Sequence, residues 1–118
     1  MALGRDKWTR IEVATKLEAP RKTYRFQTLY VSPGGLFVPT AETLDPRTGL
    51  TVSFQIEGQP VVAHTELRRL LSAADAGQRG IDTGQPGWEL RLVRMEGDGS
   101  QILAEHIKKI LLESGGPR

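Results

Sequence analysis

The sequence predicts an all-β-dominated domain of about six short strands followed by one helix. Three observations predict it. Apolar and polar residues alternate with period two through most of the chain, turn-forming residues break the alternation at short intervals, and the period becomes helical only near the C-terminus. Short strands joined by turns build a sandwich or a small barrel, and a helix with one apolar stripe then covers an open end or face of it.

Ile11, Val13 and Leu17, with Thr15 among them, fall on one side of residues 10–18, and Arg10, Glu12, Lys16 and Glu18 fall on the other. That is a half-buried strand. Ala19-Pro20-Arg21-Lys22 reads as a turn. Tyr24, Phe26, Thr28 and Tyr30 then alternate with Arg25 and Gln27 in a second strand. It runs into the corner Ser32-Pro33-Gly34-Gly35, where glycine lets another backbone or a ligand come close. Leu36-Phe37-Val38 makes a short third strand, and Pro39 limits its pairing.

Residues 40–49 form a loop, with turn chemistry in Asp45-Pro46-Arg47-Thr48-Gly49. The cleanest alternation sets Leu50, Val52, Phe54 and Ile56 against Thr51, Ser53, Gln55 and Glu57. Glu57-Gly58-Gln59-Pro60 turns it into a strand from Val61 to about Leu71, a hairpin. Residues 72–87 read as a long glycine-rich loop, of a kind that is either functional or loosely ordered. Trp88, Leu90 and Leu92 alternate with Glu89 and Arg91 in a last strand, and Trp88 is expected in the core. Leu103, Ile107, Ile110 and Leu111 follow helical spacing. Asp98 with Gln101 resembles a capping box, Glu105 and Lys109 stand four apart for an exposed ion pair, and Gly115-Gly116-Pro117 stops the helix.

Composition narrows the function. The chain has 118 residues, enough for one domain, and a formal charge of +2. That charge is too small to imply nucleic-acid binding, and aromatic residues are few (6%). There is no cysteine, and there are two histidines, His64 and His106. Disulfides, thiolate metal sites and a cysteine nucleophile are excluded, and neither histidine belongs to a Ser/His/acid arrangement, so no enzyme is expected. No apolar run reaches the ~20 residues of a membrane span. Met1 to Lys7 lack the apolar core of a signal peptide. A cytoplasmic protein without membrane insertion is expected. The expected organisation is a flexible N-terminal segment over 1–9, the folded unit over 10–113 and a tail over 114–118.

The element order, together with Ser32-Pro33-Gly34-Gly35-Leu36-Phe37-Val38, resembles the PilZ domain over roughly residues 5–113. The strand at Val61–Arg69 and the later Pro86-Gly87-Trp88-Glu89-Leu90-Arg91-Leu92 are similar to that family's later strands. The resemblance implies a six-stranded antiparallel barrel with a C-terminal helix, and a regulatory role that in many members works through binding cyclic dimeric GMP (c-di-GMP). Its signature is an Arg-x-x-x-Arg motif near the first strand and a later Asp/Asn-x-Ser-x-x-Gly motif. The second is matched from Ser32 onward, but Tyr30 stands where Asp or Asn belongs. Asp6 stands where the first arginine belongs, four before Arg10, with Arg5 and Lys7 beside it. Arg21-x-x-x-Arg25 matches only by spacing, too close to Ser32 to be the same motif.

Arginine clamps phosphate with a bidentate fork and bonds guanine edges, so these departures matter. Losing one partner of a charged hydrogen bond costs ~1.5–3 kcal/mol, so two losses weaken binding by roughly two to four orders of magnitude. Two readings follow from the resemblance. The first is a non-enzymatic adaptor that binds a protein partner in bacterial signalling, such as motility or polarity control, with weak or no nucleotide binding and no cofactor. The second is a c-di-GMP effector using Arg5, Arg10, Ser32, Gly34 and Gly35. For the adaptor, the candidate partner-binding residues are Trp8, Arg21, Arg25, Arg68 and Arg69. Each has a structural alternative. Trp8 is a lid on the barrel or a partner surface, Arg21 and Arg25 a solvated hairpin face or a patch. Arg68 and Arg69 with Arg91 and Arg94 make either a basic patch or a mixed surface.

Overall fold

Residues 8–115 are described in a computed structural model. β1 (Thr9–Glu18), β2 (Thr23–Ser32) and β3 (Gly35–Pro39) form one antiparallel meander; β4 (Gly49–Ile56), β5 (Gln59–Leu71) and β6 (Gly87–Met95) form a second. The meanders meet at two seams, β3 against β6 and β1 against β4, which closes a six-stranded antiparallel barrel in the order β1-β2-β3-β6-β5-β4. A short helix, α1 (Ala73–Gln78), lies between β5 and β6, and α2 (Gly99–Gly115) ends the chain. Closure leaves no free sheet edge except where a seam stops pairing.

The alternation of β4 buries Leu50, Val52, Phe54 and Ile56 in the barrel, together with Leu17, Val61, Ala63, Leu67 and Leu90. Full burial of such side chains contributes ~1.5–3 kcal/mol each. Trp88 is fully buried, with Tyr24 edge-on at 5.0 Å, and its indole N–H donates to the Glu42 carbonyl at 2.8 Å. The β4–β5 turn places Glu57 (φ 51°) and Gly58 (φ 82°) both at positive φ, the twist that a two-residue hairpin needs.

Several expectations are corrected. Tyr24, Phe26, Thr28 and Tyr30 do not share one face of β2. The register against β1 shifts between Glu12 and Thr15, so beyond Phe26 it is Leu29 and Val31 that enter the core. Tyr30 turns to the outer wall and packs edge-on to Phe37 at 5.9 Å. Second, residues 72–87 are not all loop. The Ser72 side chain accepts from the Asp75 N–H and starts α1, and Ala76 and Ile81 are buried with Tyr30, Phe37 and Leu71, with Trp8 partly buried against them. Trp8 therefore packs on the outside of the wall, not as a lid over the barrel interior. Third, Gln101 does not close a capping box with Asp98; its amide donates to Glu105. Fourth, Lys109 bonds Glu57 at 2.7 Å instead of Glu105, tying α2 to the β4–β5 turn. The helix stripe follows the predicted spacing at three of its four positions and departs from it at Leu111. Leu103 is buried, Ile107 and Ile110 are partly buried on the core, and Leu111 is 54% exposed.

Candidate functional site

The Ser-Pro-Gly-Gly corner is a tight β2–β3 hairpin in which Ser32 pairs with Gly35. The buried Ser32 hydroxyl donates to the Gly35 carbonyl at 3.4 Å. A Cβ on Gly35 would lie 2.3 Å from the Leu90 carbonyl oxygen of β6. Glycine is required here for a backbone pressed on a backbone, not for positive φ. Gly87, across the same seam, is under the same constraint: its Cβ would lie 2.3 Å from the Val38 carbonyl oxygen and 2.4 Å from the Phe37 ring.

Arg5 lies outside the described residues. Arg10 stands opposite Tyr30 in the β1–β2 ladder, exposed, with its guanidinium 2.6 Å from Glu12. It borders a polar hollow of about 270 Å³ that also contains Asp82 and Thr83. Ser32 borders a different hollow, an apolar groove of about 460 Å³ between the barrel wall and α2, with Leu92, Leu103 and Ile107. The structure does not bring Arg10 and Ser32 to one cavity. Tyr30, at the position of the motif's acid or amide, is 5% exposed and committed to the outer apolar cluster.

Arg68 and Arg69 do belong to a cluster. Their guanidinium groups lie 3.9 and 3.2 Å from the Glu89 carboxylate, and Arg79, from the end of α1, lies 3.5 Å from it. A carboxylate this buried needs compensating charge, and here positive charge is in excess. The cluster also fastens α1 to the wall. Arg91 is not in it; it pairs with Glu66 at 2.7 Å. Arg79 carries no local signal of this role, because only the path of α1 brings it beside β6. His64 bonds Glu96 at 2.6 Å. Among the described residues no group of three His, Cys, Asp or Glu side chains is placed to hold a metal ion, and no helix is long and apolar enough to cross a membrane.

Arg21 is exposed in the β1–β2 turn. Arg25 stands opposite Lys16 in the ladder, and both border a surface hollow of about 490 Å³ at the β1–β4 seam. The pairing there covers only Lys16–Glu18 against Thr51–Ser53.

Among solved structures, the chain is similar to the Bacillus subtilis inhibitor of motility (MotI/DgrA), with a TM-score of 0.66 and 14% identity, over 94% of this chain and 53% of that one. The chain thus spans about half the length of that protein, and at this identity the likeness is one of fold. The barrel with its C-terminal helix is the PilZ-like architecture that the sequence resemblance implies. No protein-family model and no curated protein sequence matches the chain.

Proposed function

We propose that this chain is a non-enzymatic PilZ-like regulatory adaptor that binds a protein partner in bacterial signalling, in a setting such as motility control, with weak or no c-di-GMP binding. One observation carries the reading. Arg10 and Ser32 border separate hollows, Arg10 is already paired with Glu12, and the position between them in the motif is filled by the buried Tyr30. A dianionic nucleotide needs converging cations, and here the polar hollow beside Arg10 also carries Asp82, which repels phosphate. The fold likeness to a motility inhibitor supports the same setting.

Isothermal calorimetry with c-di-GMP at physiological salt tests the proposal, on the wild type and on Arg10→Ala. No heat at high ligand concentration is the expected result. Micromolar binding that Arg10→Ala abolishes would replace the adaptor with the effector that uses Arg5 and Arg10.

A further inference from the structure

The β1–β4 seam is only partly paired. The ladder between β1 and β4 ends at Lys16 and Ser53. Beyond that point, Thr9–Thr15 of β1 have no partner in β4, and Phe54–Ile56 of β4 have none in β1. The cause is local to β1. Its register slips between Glu12 and Thr15, the Thr15 hydroxyl donates to the Val13 carbonyl at 3.0 Å, and a bulged strand bends away from its straight course. The two edges part and leave a hollow of about 490 Å³.

Its floor is apolar. Val13 and Phe26, both half-buried, lie there with the core residues Phe54 and Val61. Its charged lining is of one sign, because Lys16 and Arg25 border it and no carboxylate does. Among the described residues, Arg25 has no carboxylate within ion-pair distance, and Lys16 has only Glu18, at 3.9 Å. Strand addition uses main-chain groups along a strand edge and an apolar floor for alternate side chains, and a cationic rim selects for acidic ones.

The geometry points to this seam as the docking site for an extended acidic–apolar segment of a partner protein, which enters beside β1 with apolar side chains inward and carboxylates toward Lys16 and Arg25. The inference rests on the adaptor reading and names its surface. An extended peptide fits better than an anionic lipid, since only a peptide uses the main-chain edges as well as the floor and rim. The groove under α2 has an apolar lining with no lysine or arginine in it, so it offers no charge to match the carboxylates of such a peptide.

The test uses a fluorescent hexapeptide, Glu-Val-Glu-Ile-Glu-Val, blocked at both ends, and its counterpart with Lys in place of every Glu. Anisotropy and amide chemical shifts are measured on the whole chain. The acidic peptide is expected to bind, and to shift the amides of residues 13–16 and 53–55. The lysine peptide is expected to bind at least roughly tenfold more weakly. Lys16→Glu with Arg25→Glu is expected to reverse that preference; both side chains are solvent-facing, and circular dichroism verifies the fold. Equal affinity for the two peptides, shifts confined to α2 or to Arg68 and Arg69, or sodium decanoate filling the seam while the peptide does not, would each overturn the inference. The nucleotide calorimetry is read separately. A seam silent to peptide with no nucleotide heat removes this inference and leaves the adaptor, whereas nucleotide binding removes the adaptor itself.

Discussion

The two meanders of this barrel are joined twice, by opposite means. Where β3 meets β6, five consecutive residues pair, from Gly35 with Arg91 to Pro39 with Gly87. Glycines on both strands let the backbones press together, and the outside of the wall is sealed by Phe37, Tyr30 and the buried residues of α1 and its loop. Where β1 meets β4, three residues pair before β1 bends away. One join is packed to the point that a methyl group does not fit; the other leaves apolar side chains at the surface. A closed barrel therefore does not stabilise itself evenly around its circumference. The tight join holds the fold, and the loose join leaves apolar area and strand edges that another molecule can use.

Truncating the same residue type at the two joins measures the contrast. Phe37→Ala, at a fully buried position, is expected to lose about 3–5 kcal/mol of stability in urea unfolding. Phe26→Ala, at the half-buried open seam, is expected to lose about 1–2 kcal/mol. Equal losses would show that the open seam is as well packed as the closed one and would break the comparison.

Gly35→Ala sharpens the closed side. Its Cβ meets a main-chain carbonyl that cannot swing aside, so β3 and β6 must separate locally, at a cost of about 2–3 kcal/mol. Hydrogen exchange is expected to speed up at residues 36–38 and 88–90 and to remain unchanged along β4. Uniform acceleration would mean that the glycine acts on the whole fold.

The smallest effect lies near the loose join, where the Lys109–Glu57 bond ties α2 to the β4–β5 turn. The hydrogen bond and charge of Lys109 hold the Glu57 carboxyl below its ordinary value, and the same contacts from Glu57 raise Lys109. The Glu57 share of the stabilisation is present above the ordinary carboxylate range and is lost as pH falls through its lowered value. The Lys109 share is present below the ordinary lysine range and is lost as pH rises through its raised value. Both groups are exposed and screened by salt. Lys109→Ala is thus expected to lower the melting temperature slightly at neutral pH and low salt. The difference should vanish in acid and at about 1 M salt. A difference that survives high salt would mean that Lys109 acts through packing of its stem.

Much of the fold is legible along the chain. The alternation at Leu50–Ile56 and the spacing of Leu103, Ile107 and Ile110 each report a face that the same segment buries. The failures have one physical origin. Tyr30 changes face because of a slip in the neighbouring β1, which nothing within β2 records. Ser72 with Asp75 is a visible helix start, but six residues of helix persist only because Ala76 and Ile81 reach Tyr30 and Phe37. Of the candidate site, Arg25, Arg68 and Arg69 stand out as basic residues near strand ends, yet their surroundings do not. Arg79 joins Arg68 and Arg69 across the fold, and Arg25 acquires an apolar floor only because β1 and β4 part.

The six strands, the C-terminal helix, the β4–β5 hairpin and the glycine corner were thus written into the residues, because period and turn chemistry are properties of a few neighbours in sequence. Barrel closure, the separation of Arg10 from Ser32, the Glu89 cluster and the open seam arose only in three dimensions. Each depends on register between strands distant in the chain, and a one-residue shift in such a register turns side chains from one face to the other without changing any local pattern.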